Sequence, residues 1–136
     1  MTQQTIAYGL TTEVALRYEQ AVERTREELA KEGFGILTEI DVKATLKNKL
    51  DVDFRPYIIL GACNPPLAHQ ALSDERDIGL LLPCNVIVYA ADDPEKSTVA
   101  ALDPVKQLQL TGNRNLEPVA QDVRARMERV LDAVAS

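Results

Sequence analysis

The amino-acid sequence predicts an α+β fold, a largely antiparallel sheet with two long helices packed on it. Val14, Tyr18, Val22, Thr25 and Leu29 recur at spacings of four, four, three and four, and Val119, Val123, Met127, Val130 and Val134 repeat the same series. Each set forms one apolar stripe along a helix. Cys84–Ala90 and Thr98–Leu102 flank Asp92-Asp93-Pro94, a strong hairpin signal. The order strand, long helix, several strands with small helical inserts, long helix lacks the regular βαβα alternation of a parallel doubly wound sheet.

Element by element, Thr5–Leu10 alternates apolar with small or polar residues and reads as a first strand. A helix over residues 12–32 follows, capped by Thr11 or Thr12 and closed by Gly33. Glu13 with Arg17, and Glu27 with Lys31, stand at i,i+4 outside its stripe. Phe34–Ile40 has strand composition and ends at Asp41, which is suited to cap a short helix with Val42, Leu46 and Leu50 inward. Lys43, Lys47 and Lys49 on its other face, with Arg55 beyond, form the most basic stretch of the chain. They are read either as a solvated helix face or as an anion-accepting rim beside a pocket.

Tyr57–Ala62 is an uninterrupted β-prone apolar run, expected as a central strand. Asn64 then caps a helix of about residues 65–73, where prolines in the first turn are tolerated and Leu67, Gln70 and Ala71 are read as inward. A polar connection, Asp74 to Asp77, leads through Gly79–Pro83 to the Cys84 strand. Asp103-Pro104 starts a short helical turn, and the last helix is expected over residues 116–133.

The length, 136 residues, suits a single domain over residues 1–136, large enough to bury a core without disulfides or a structural metal. Fifteen Lys and Arg stand against 21 Asp and Glu, a net charge of −6, which argues against a nucleic-acid partner. Apolar runs such as Ile78–Leu82 are far short of the roughly 20 residues of a membrane span, so no membrane partner is expected. Met1–Thr5 has neither the positive start nor the apolar stretch of a secretion signal, which makes the cytoplasm the expected compartment. Cys63 and Cys84 would be reduced there.

No glycine-rich phosphate loop, HExxH, CxxC, GxSxG or EF-hand pattern occurs, so no nucleotide cofactor is expected. The remaining chemistry lies in two parallel contexts, Gly61-Ala62-Cys63-Asn64-Pro65 and Leu82-Pro83-Cys84-Asn85, each a strand terminus followed by Asn. His69, the one histidine, follows Cys63 by about one and a half helical turns, which allows its imidazole to turn back toward the thiol. Two sulfurs and an imidazole suit zinc or copper(I), and a thiol at a helix N-terminus has a lowered pKa. The opposing reading is plain structure: both Cys as small buried hydrophobes, His69 at the surface, Asn64 and Asn85 as turn closers. A tetrahedral metal site would also need a fourth ligand that the sequence does not supply.

At these segments the chain resembles a known family. Gly33–Val42, Tyr57–Pro65, Ile78–Val86 and Ala101–Pro104 look, in order, like domain-of-unknown-function family 302, with the likeness running over about residues 5–134. The resemblance implies a fold of the TATA-box-binding-protein class, strand, helix, four strands, helix, commonly as a homodimer. It implies no DNA binding, because one fold hosts unrelated functions, and it lends no activity. The family's cysteine-and-asparagine motifs match at Cys63-Asn64 and Cys84-Asn85, with His69 where some members have a histidine.

Three functions compete on these observations. The first is a homodimeric binding module holding a small ligand or a zinc or copper ion near Cys63, Asn64, His69, Cys84 and Asn85, with Lys43 and Lys47 at its edge. The second is a thiol redox protein using Cys63 or Cys84. The third is an adaptor dimer without a site. No catalytic base other than His69 is visible, which favours binding over catalysis.

Overall fold

In the computed structural model, which describes residues 3–136, the chain opens on a tight hairpin. Strand β1 (Gln4–Ile6) turns through Ala7-Tyr8 into β2 (Gly9–Val14), dividing the single strand expected over Thr5–Leu10. Met1 and Thr2, the start of the segment read as lacking a secretion signal, lie outside the described residues. Helix α1 (Tyr18–Lys31) begins at Tyr18 rather than at residue 12, with Arg17 and neither threonine at its N-cap. The reason is local. Leu10, Thr12 and Val14 are buried at period two while Glu13 is exposed, so this β-branched segment pairs as a strand, and Val14 falls on the helical stripe by coincidence.

The end of α1 is where the sequence puts it. Gly33 takes φ +86°, its N–H donates to the Ala30 carbonyl at 3.1 Å, and Phe34 N–H donates to Leu29 at 3.0 Å. This paired closure satisfies the last carbonyls and seats Phe34 in the core beside Leu29.

Strand β3 (Gly35–Asp41) follows, and the Asp41 carboxylate accepts the Ala44 N–H at 2.9 Å to start α2 (Val42–Leu50). No residue of α2 is buried and Leu50 is 66% exposed, so the expected inner face is realised only by half-buried Val42 and Leu46. Next come β4 (Tyr57–Cys63), α3 (Pro65–Asp74), a 3-10 turn at Arg76–Leu81, β5 (Cys84–Ala90), β6 (Ser97–Leu102), α4 (Pro104–Gln109) and α5 (Glu117–Ala135).

All strand pairs are antiparallel, in the order β1-β2-β6-β5-β4-β3. With β1 set aside as an added edge, the chain reads strand, helix, four strands, helix. One face of the sheet, carrying Leu10, Val14, Ile58, Leu60, Val86, Val88, Val99 and Ala101, is buried under α1 and α5. The expected stripe residues Val119, Val123, Met127, Val130 and Val134 of α5 are all buried. A smaller apolar cluster, including Ala71, Ile78, Leu108, Leu116 and Ala120, lies where α3, α4 and α5 meet past the strand ends. The opposite face carries no long helix. Ile40, Ile59, Ile87 and Ala100 line up across it through successive strand pairs, with Tyr57 and Tyr89 stacked beside them at 5.2 Å. Pairing of β3 with β4 slips by one residue at Leu37, a bulge on the sheet's outer strand.

Candidate functional site

Where the two apolar clusters meet, a cavity of about 40 Å³ remains. Strand ends and helix starts build it. Ala62, Cys63 and Cys84 come from the sheet, Asn64, Leu67 and Ala71 from the start and inner side of α3, Gln107 and Leu108 from α4, and Val119 and Val123 from α5. Its lining is apolar apart from the two thiols and two amides, and the amides are already engaged. Asn64 Oδ1 accepts the Leu67 N–H at 3.4 Å, capping α3, while its Nδ2 donates to the Glu32 carbonyl at 3.3 Å. Gln107 Oε1 accepts from the Cys84 thiol at 3.8 Å, and Gln107 Nε2 donates to the Leu81 carbonyl.

Cys63 and Cys84 are therefore neighbours at one cavity, but the pleat separates their directions. Cys84 stands opposite Ala62, whose side chain is buried on the helix side, and Cys63 comes one residue later in the same strand. Both nonetheless line the one cavity, so the two cysteines share a space as expected, without His69 in its lining. The expected thiolate is not built. Burial pushes the Cys84 thiol up to about 11, with the nearby Cys63 adding to the shift, and burial raises Cys63 as well. Desolvation raises a thiol because it penalises the charged form directly.

His69 does not join them. With Leu67 and Ala71 turned inward, the residue midway between them lies on the opposite face of α3, and His69 is exposed, as is Gln70, which was expected inward. Among the described residues no group of three or more His, Cys, Asp or Glu side chains is arranged to hold a metal ion. Asn85 is exposed opposite Gly61, on the far side of the sheet from the α1 and α5 layer. Lys43 and Lys47 lie beyond the other end of β3, since Gly35 pairs with Cys63 whereas Asp41, which caps their helix, pairs with Ile58. Lys47 binds Asp51 at 2.9 Å and Asp53 at 3.5 Å, and Arg55 binds Asp92 at 3.1 Å, so these two cations are answered by acidic side chains.

The residue that sequence reasoning passed over is Gln107. Its signal was present: an amide between Pro104 and Leu108 on the inner side of a helix whose start at Asp103-Pro104 was legible. Asp103 itself accepts the Val105 N–H at 2.9 Å and the Arg124 Nε–H at 3.2 Å, fixing α4 against α5.

Comparison with known proteins bears on the whole chain. The profile described as Domain of unknown function DUF302 matches residues 10–134. A solved structure, described as the crystal structure of uncharacterized conserved protein DUF302 from Bacillus stearothermophilus, is 28% identical and superposes with a TM-score of 0.86, covering 95% of this chain and 99% of that one. No curated protein matches the chain. No helix among the described residues is long and apolar enough to cross a membrane.

Proposed function

The chain belongs to the DUF302 family, a family described by its domain and by no activity, and from that premise we propose that it is a binding module whose cavity takes a small apolar ligand. The observation that carries this reading is the state of the cavity's polar groups. Asn64 and Gln107 each have both ends of their amides bonded within the protein. A water there would find few partners, whereas an apolar guest would lose nothing. Half-buried thiols held in the protonated form by burial are compatible with such a guest. The redox alternative is disfavoured on the same ground.

Xenon tests the cavity directly, being apolar and small. Under xenon pressure the methyl resonances of Ala71, Leu108 and Val123 are expected to shift saturably, and Ala71→Leu, which fills the space from α3, to abolish the shifts without unfolding the protein. Absence of saturable shifts in the wild type would overturn the reading.

The second part of the proposal is assembly. A second copy of the chain covers the face opposite α1 and α5, supported by the row Ile40, Ile59, Ile87 and Ala100 and by the half-buried Tyr57 and Tyr89 within it. Light scattering is expected to give twice the 15.0 kDa chain mass and Ile87→Lys to return it to the chain mass. A wild type that stays at the chain mass at micromolar and higher concentrations would remove the dimer. The cytoplasm is retained as the proposed compartment, where both free thiols stay reduced.

A further inference from the structure

A second concave region lies on the outer side of the wall formed by Leu82, Pro83 and Gln107, which it shares with the cavity. It is a groove of about 460 Å³, and its floor and sides are aliphatic, with Leu80, Leu102 and Leu110 prominent. Two of these are among the most exposed large apolar side chains in the protein, Leu80 at 88% and Leu110 at 78%, with Tyr8 beside them at 66%. Exposed apolar surface gathered around one depression, rather than scattered singly, is characteristic of a binding surface.

The charge at this groove is of one sign. Lys106 enters it from α4 and makes no ion pair among the described residues, although acids outnumber bases in this chain by 21 to 15. No Asp or Glu lines the groove. Asn85 and Tyr8 add an amide and a phenol that are both solvent-facing. A long aliphatic surface ending at one uncompensated ammonium, with neutral donors beside it, is complementary to a chain with a single negative head. We propose that this groove binds an aliphatic carboxylate, its hydrocarbon against Leu80, Leu102 and Leu110 and its carboxylate at Lys106. This site is separate from the cavity reading, and each can fail without the other.

The test uses decanoate as the probe, titrated into the full chain and followed by calorimetry and backbone amide shifts. Saturable binding is expected, with shifts centred on residues 80–83 and 102–110. Lys106→Gln should weaken it by about tenfold, equivalent to roughly 1.4 kcal/mol, and Lys106→Arg should keep it. Leu110→Ser, at an exposed position that does not threaten folding, should weaken it while leaving the Lys106 charge in place. Decanol and decyltrimethylammonium, which share the tail but not the charge, should bind more weakly. Equal affinity for all three compounds, an unchanged Lys106→Gln, or shifts confined to Ala71, Val119 and Val123 would overturn the proposal. Phosphatidylglycerol vesicles distinguish the source of the anion. Sedimentation with vesicles in the absence of free decanoate binding would assign the groove to a lipid surface and overturn a site for the free carboxylate.

Discussion

Gln107 holds Cys84 at one end of its amide, accepting the thiol proton at 3.8 Å, and holds the Leu81 carbonyl at the other. The amide thus ties α4 both to the start of β5 and to the turn before it, and it is 7% exposed. Replacing it by Leu keeps the volume and strands the carbonyl. Gln107→Leu is expected to destabilise the fold by about 1–3 kcal/mol, the usual cost of an orphaned buried acceptor. Urea denaturation with an unchanged slope would measure it, and a loss below a few tenths would show that the Leu81 carbonyl finds water instead.

The raised thiol has a defined consequence for stability. Unfolded, Cys84 releases its proton near 9; folded, it holds it to about 11. Its contribution is therefore complete below pH 9 and disappears as pH rises toward 11, with an upper limit of about 3 kcal/mol. Wild-type Tm should fall more steeply between pH 9 and 11 than that of Cys84→Ser, whose hydroxyl does not titrate there. Parallel slopes would mean that the thiol is not desolvated.

Oxidation offers a separate check. A disulfide needs both Cβ vectors directed at each other, and the pleat between Ala62 and Cys63 directs them apart. Treatment of the native protein with diamide is expected to leave two thiols per chain titratable after denaturation. An intramolecular cross-link formed rapidly would show that the end of β4 reorganises readily.

Two glycines with positive φ invite a paired comparison. Gly33 (φ +86°) lies where an added Cβ would stand 2.9 Å from Asn64 Nδ2, whereas nothing lies within 4 Å of one at Gly112 (φ +67°). Both alanine variants incur backbone strain of about 1 kcal/mol or more. Gly33→Ala should cost measurably more, because it also displaces the amide that caps α3. Equal losses in thermal unfolding would mean that Asn64 moves aside freely.

These positions show what was legible in the chain. The stripe of α5 is a one-sided burial pattern, and such patterns are written in side-chain type alone. The caps at Asp41, Asn64 and Asp103 are local hydrogen bonds between residues two or three apart, so they too are readable. The start of α1 is ambiguous in the sequence because Val14 satisfies both a period of two and a spacing of four from Tyr18; pairing with Ser97 across the sheet decides between them. The site was harder. That Cys63 and Cys84 meet one cavity follows from strand termini being neighbours, but their divergence depends on register, in which Cys84 faces Ala62. The face taken by His69 depends on helix phase. Once Leu67 and Ala71 are known to be inward, His69 must be outward, and treating Gln70 as part of the same face concealed this.

The bulge at Leu37 bears on how the molecule remains a closed particle. β3 is the longer of the two outermost strands, seven residues against three for β1, and its free backbone edge would otherwise offer a template to any passing strand. The slip between Ile36 and Thr38 interrupts the rhythm of outward-facing donors and acceptors midway along it. A foreign strand that begins pairing at Gly35 loses step before Glu39, and one that begins at Asp41 loses step before Ile36. The chain can therefore carry Leu37 and Ile40 at its margin, 65% and 49% exposed, without presenting an uninterrupted seam along which sheets of successive molecules would fuse.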